Sequence, residues 1–123
     1  MTKVLVIDDD AVVRLSIVHI LEDGGYEVLA AENGLRGMAA FRSEHPDLVI
    51  TDIIMPDQEG IQTINEIRSV KPDAKIIAIS GSGRFGNVDF LKIAQDLGAV
   101  DAIAKPFDPD DLLRRVRRCL NGR

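Results

Sequence analysis

Five apolar runs, each too short to be a helix, alternate along the chain with amphipathic stretches of helical period, and this alternation limits the fold more than any other feature. Strands and helices in strict succession bury their apolar faces as a parallel sheet covered on both sides. The runs are residues 3–8 (KVLVID), 26–30, 47–52 (DLVITD), 75–80 (KIIAIS) and 101–105 (DAIAK). The first, third and fourth are nearly continuous in β-branched residues and Leu, which predicts burial on both faces at the sheet centre. The second and fifth are more polar and are assigned to the edges.

The intervening stretches carry recognisable helix ends. Asp10 is placed to cap a first helix that buries Val13, Ile17, Ile20 and Leu21 and stops at Gly24-Gly25. A second begins near Asn33 and turns Leu35, Met38 and Phe41 inward, with Gly37 in its interior weakening it by about 1 kcal/mol relative to Ala. A third presents Ile61, Ile64, Ile67 and Val70 and ends before Lys71-Pro72. A fourth is expected from Asn87 through Phe90, Leu91, Ala94 and Leu97 to Gly98. In the last, Asp108 caps, Pro109 takes the first helical position, Asp110 and Asp111 match the helix dipole, and Leu112, Leu113, Val116 and Leu120 face inward. The expectation is one (βα)5 α/β domain over residues 1–123 with right-handed crossovers.

Composition excludes several classes. A chain of 123 residues, 46% hydrophobic and 28% charged, is an ordinary globular domain rather than a disordered or disulfide-framed one. No apolar run approaches the roughly 20 residues of a membrane helix, and the N-terminus does not read as a signal peptide. A single cysteine, Cys119, makes no internal disulfide, so a cytoplasmic protein beginning at Met1 is expected. The net charge of −5 argues against direct nucleic-acid binding.

Ligands of open parallel sheets bind beyond the carboxyl ends of the strands, where strand order reverses. The strand ends here carry Asp8 and Asp9, then Asp52, Ser80 and Lys105. Turn and capping roles account for Asp10, Asp57 and Asp101, but not for polar groups delivered to one rim by four separate strands. If Asp8, Asp9 and Asp52 meet, each like-charged pair repels by about 4 kcal/mol at 4 Å and an effective dielectric of 20, so a cation is required. One divalent ion together with the Lys105 ammonium neutralises the three carboxylates. Hard oxygen ligands without histidine or thiolate favour Mg²⁺ that keeps several waters. Such a half-open site suits a phosphoryl group, and a carboxylate can accept one as an acyl phosphate. Ser80 and Lys105 would then supply a hydroxyl donor and an ammonium to its oxygens.

The ordered set resembles one family across nearly the whole chain. Asp8-Asp9 after the first strand, Asp52 followed by Ile53-Ile54-Met55-Pro56 and then Gly60, Ser80-Gly81 after the fourth, and Lys105-Pro106-Phe107 after the fifth are similar to receiver domains of two-component response regulators, of the stand-alone kind found among chemotaxis regulators. The resemblance implies a flavodoxin-like sheet of order 2-1-3-4-5. It implies a phosphorelay switch in which Asp52 is phosphorylated from a histidine kinase or histidine phosphotransfer protein, with output to a separate effector protein. It further implies Mg²⁺ held by Asp9, Asp52 and the backbone carbonyl of Ile54, with Asp8 assisting through water. Ser80 and Lys105 contact the phosphoryl oxygens, and Lys105-Pro106 is expected to be cis. No catalysis is expected beyond the protein's own phosphorylation and slow dephosphorylation.

The chain departs from that family in three places. Ala102 stands where receivers carry an inward-turning Tyr or Phe, so switching has to use loop movement or helix displacement. The stretch between Ser80 and Lys105 is about three residues longer than is common by rough comparison, and Gly81, Gly83 and Gly86 make it flexible. Ile54, two residues after Asp52, cannot position an attacking water, which predicts slow hydrolysis.

Rival readings are a Mg²⁺-dependent phosphohydrolase with an aspartyl-phosphate intermediate and a flavin-binding flavodoxin-like module. The first wants a second carboxylate at the place of Ile54, and the second wants a hydroxyl-rich loop where three acids stand. Residues 81–86 match a dinucleotide fingerprint, but only one strand follows, so that site would lack its second half. Arg114, Arg115, Arg117 and Arg118 are read as a solvated, dipole-matched run, and His19 as an ordinary helix residue rather than a phosphohistidine.

Overall fold

Each of the five apolar runs forms a strand, and each strand whose connection is described is followed by a helix of the expected type. The structure is a computed structural model that describes residues 2–53, 59–81, 96–105 and 107–121, with residues 59, 80, 81, 104 and 105 described by their backbone alone. In chain order the elements are β1 (Lys3–Ile7), α1 (Ala11–Asp23), β2 (Glu27–Ala31), α2 (Gly34–Glu44), β3 (Leu48–Asp52), α3 (Glu59–Val70), β4 (Ile76–Gly81), β5 (Asp101–Lys105) and α4 (Pro109–Leu120). All pairings are parallel and the order is β2-β1-β3-β4-β5, so the expected centre and edges hold. Of the predicted Asn87–Leu97 helix, Asp96 and Leu97 are described, in helical backbone, and the rest lies outside the described residues.

The period-two alternation of strand side chains divides the core into two layers. Val4, Val6, Leu48, Ile50, Ile77 and Ile79 face Ile17 and Leu21 of α1 and Leu112 and Val116 of α4. Leu5, Ile7, Val49, Ile76 and Ala78 face Met38 and Phe41 of α2 and Ile64 and Ile67 of α3. Because helices cover both faces, every residue of β3 is buried. The caps form as read: the Asp10 side chain accepts from Val12 and Val13, the Asn33 side chain from Arg36, and the Asp108 side chain from Asp111. Helix α1 ends at Gly24, and Gly25 takes the left-handed conformation, φ 92°, that favours glycine.

Two residues assigned to the core face out instead. Leu35 is 81% exposed, because the inward stripe of α2 is Gly34, Gly37, Met38 and Phe41, at i, i+3, i+4 and i+7. The sequence pattern hides this stripe, since half of it is glycine. Val70 is 50% exposed. Three successive steps of three residues fall short of full turns by about 60° each, which carries Val70 roughly half a turn away from Ile61.

Gly37 has a packing reason to be glycine. A Cβ built there would stand 2.5 Å from Cδ1 and 2.9 Å from Cγ1 of Ile7, a fully buried residue of β1. Helix propensity alone predicts that Gly37→Ala stabilises by about 1 kcal/mol. The packing reverses the sign: urea denaturation of Gly37→Ala is expected to show a loss of about 1–3 kcal/mol.

Candidate metal and phosphoryl site

The sheet changes winding direction between β1 and β3, since the chain leaves β1 toward β2 on one side and returns as β3 on the other. At that crevice the turn from β1 into α1 is held by its own acids. The Asp8 N–H donates to the Ala31 carbonyl at 3.2 Å, and Asp8 Oδ1 accepts from the Asp10 N–H at 2.8 Å. Asp10 Oδ1 in turn accepts from Val12 N–H at 2.9 Å and Val13 N–H at 3.3 Å, so Asp10 is consumed in capping, as its sequence position indicates. Asp8 is fully buried, while Asp9 is exposed.

Asp52 ends β3 opposite Ile79 of β4 and is 4% exposed. Its carbonyl accepts from the buried Thr51 hydroxyl at 3.3 Å. The first turn of α3 packs Gly60 directly on this segment, leaving room for no side chain beyond hydrogen. A Cβ at Gly60 would overlap the Asp52 carbonyl oxygen and lie 2.8 Å from Ile53 Cα.

The structure therefore brings together the three acids that the sequence singles out. Carboxylate oxygens of Asp8, Asp9 and Asp52 all lie within 4.8 Å of one another. At that spacing each ionised pair repels by roughly 3–4 kcal/mol at an effective dielectric of 20. A cation among them removes that cost. The donor set fits a hard divalent ion: three carboxylates, two buried and one open to solvent, too few to complete a shell and so leaving positions for water or a phosphoryl oxygen.

Ser80 and Lys105 lie on the carboxyl ends of adjacent strands, where Ser80 pairs with Ala104 and Gly81 with Lys105. Their side chains lie outside the described residues, as do Ile54, Asp57 and the Lys105-Pro106 bond, and so does the fingerprint stretch beyond Gly81. Ala102 is half-buried and, like Leu97 and Ala99, packs against the core.

The basic run is less uniform than its sequence suggests. Arg115 is half-buried and ion-paired, with Nη1 at 2.9 Å from Asp101 Oδ1 and Nε at 3.0 Å from Asp111 Oδ2. It also donates to the Ala102 carbonyl at 3.3 Å. Arg118 reaches Asp101 Oδ2 at 3.4 Å, Arg114 pairs with Asp111, and Arg117 is exposed. The solvated reading thus fails for Arg115, whose length lets it cross from α4 to β5. His19 is exposed on α1. Cys119 is buried, and that burial pushes its thiol up despite the opposing Lys75 charge, so it stays a neutral packing group.

One site residue escapes the sequence reading. Arg14, at the end of the first turn of α1, is half-buried and donates from Nη1 to the Asp8 carbonyl at 2.7 Å. The available signal is a lone cation between Val13 and Leu15, six residues after Asp8, but only the fold shows which way it turns.

The chain is similar to a set of known proteins. The family model of the response regulator receiver domain matches residues 4–117. Chemotaxis protein CheY of Bacillus subtilis is 38% identical over 120 residues, covering 97% of this chain and 98% of that protein. Sporulation initiation phosphotransferase F of the same species is 29% identical over 118 residues, covering 96% and 93%. The crystal structure of a response regulator receiver domain protein from Clostridium thermocellum superposes with a TM-score of 0.88 at 32% identity, covering 98% of this chain and 95% of that one.

Because the Gly60 contact falls on backbone atoms, Gly60→Ala has to move β3 or the start of α3. We expect it to lower stability by about 1–3 kcal/mol in urea denaturation and to weaken binding of added Mg²⁺, measured by NMR titration. A variant with native stability and affinity would show that the contact is easily relieved.

Proposed function

The chain belongs to the response regulator receiver domain family of two-component systems, and on that premise we propose that it is a phosphoacceptor switch in which Asp52 takes a phosphoryl group from a phosphohistidine. The supporting observation is the meeting of Asp8, Asp9 and Asp52 within 4.8 Å at the crevice between β1 and β3. Three ionised carboxylates so close repel one another, and they suit a site that gathers a cation and a phosphate.

In this reading a carboxylate oxygen of Asp52 attacks phosphorus, the new O–P bond forms, and the P–N bond to the donor imidazole breaks with its electron pair passing to nitrogen. Asp9, Asp52 and the Ile54 carbonyl would hold the metal, with Asp8 assisting. Bound Mg²⁺ supplies positive charge that offsets the charge on the phosphoryl oxygens. The Lys105 ammonium and the Ser80 hydroxyl contact the same oxygens, a division of labour that spreads the charge over three partners. Ile54 offers no acid or base to direct water at the phosphorus, so the acyl phosphate is long-lived.

The donor is a sensor histidine kinase or a histidine phosphotransfer protein, and the output is a separate effector protein, in the cytoplasm. Residues 1–123 act as one receiver unit. The comparisons support neither the phosphohydrolase nor the flavin-binding reading. Among the described residues no helix is long and apolar enough to cross a membrane.

Mass spectrometry after incubation with a small phosphodonor tests the assignment. The native protein with Mg²⁺ is expected to gain one acid-labile phosphoryl group, and to gain little without the ion. Asp52→Asn should gain none while keeping its circular dichroism, and Asp9→Ala should bind Mg²⁺ at least tenfold more weakly. Full labelling of Asp52→Asn would move the acceptor elsewhere.

A further inference from the structure

We propose that Arg14 is a positioning residue for the acidic pocket: its guanidinium holds the plane of the Asp8–Asp9 peptide and thereby sets the separation of the two carboxylates. The inference rests on the metal-binding reading above and adds a residue to it.

The Asp8 carbonyl and the Asp9 N–H belong to one rigid peptide unit. Rotation of that unit about its flanking bonds swings the Asp9 side chain toward or away from Asp8 and Asp52. Asp8 itself is fixed, being fully buried with its N–H on Ala31 and its Oδ1 on the Asp10 N–H. Asp9 has no such support from burial, because it is exposed. The carbonyl end of the peptide is where Arg14 Nη1 donates, at 2.7 Å, a short charge-assisted bond.

Arg14 is well placed to act as a fixed strut. Its own N–H donates to the Asp10 carbonyl at 2.9 Å, inside the first turn of α1, and the neighbouring Ile17 is fully buried. The side chain therefore runs back from an anchored helix to the turn that precedes it, closing a ring from Asp8 through Asp10 to Arg14. Its planar guanidinium loses less freedom on bonding than a lysine would, which suits an orienting role.

Two effects of this residue on a bound cation have opposite signs, and that makes the inference testable. As a bare positive charge near three carboxylates, Arg14 disfavours a second cation, so its removal would tighten Mg²⁺ binding. As a strut it favours the ion by keeping the carboxylates in place, so its removal would weaken binding.

The experiment uses the full chain and Mg²⁺ alone, with affinity read by NMR titration and the metal-free protein followed by amide hydrogen exchange. Arg14→Met, which keeps the length and the packing, is expected to bind Mg²⁺ about fivefold more weakly. It should also speed exchange at the Asp10 amide while leaving β3 protected. Arg14→Lys, which keeps the charge but not the fork, should fall between the two. Arg14→Met binding as tightly as the native chain, or more tightly, overturns the proposal. If Arg14→Met does not fold, the same comparison is made on Arg14→Lys, where weaker binding supports the proposal and equal or tighter binding overturns it. Failure of the native chain to bind Mg²⁺ would instead remove the metal reading, and the strut with it.

Discussion

The parallel pairing of β1 with β3 is the constraint from which the site follows. Its register runs from Val4 opposite Leu48 to Ile7 opposite Thr51. One step further along both chains stand Asp8 and Asp52, so the ladder that aligns the two apolar strands also aligns the two acids. Side chains alternate between faces, and a one-residue slip would turn Val4 and Val6 into the opposite core layer. The buried faces therefore fix the register, and the register delivers the carboxylates. Nothing local to the acids has to bring them together.

Close approach of backbone to backbone then sets the walls of the crevice. Gly37 lets α2 press against Ile7 at the end of β1, one residue before Asp8. Gly60 lets α3 press against the Asp52 carbonyl. Both glycines cost helix stability by propensity, and both lie where a helix on the same face of the sheet meets the end of a central strand. Both strand ends that carry buried acids thus meet a helix at a glycine, while Asp9 remains open to solvent.

How much of this could be read beforehand depended on the range of the interaction. Strand order, helix caps and the acidic cluster follow from short-range pattern plus a whole-chain resemblance, and Asp10, Asn33 and Asp108 cap as their spacing indicates. Leu35 defeats the pattern because a glycine-built stripe carries no hydrophobic signal, and Val70 because a repeat of three drifts on a helix of 3.6 residues per turn. Arg14 and Arg115 are illegible in the sequence for another reason. A long cation can fold back along its helix, reach a neighbouring strand or stay in water, and the sequence spacing does not choose among these.

Arg115 bears on how the two ends of the chain's last βα unit respond to one another. Alanine at position 102 offers no aromatic ring, and its small side chain packs, as Leu97 and Ala99 do, against the core. The Ala102 carbonyl, however, is held by Arg115, which is itself held by Asp101 and Asp111. Asp101 is 16% exposed at its side chain and Arg115 30%, so these pairs are less screened by solvent than ordinary surface ones. A displacement of β5 therefore either breaks these pairs or carries α4 with it. The second course keeps the charges paired, so the amino end of β5 and α4 are tied as one unit by charge rather than by an aromatic side chain.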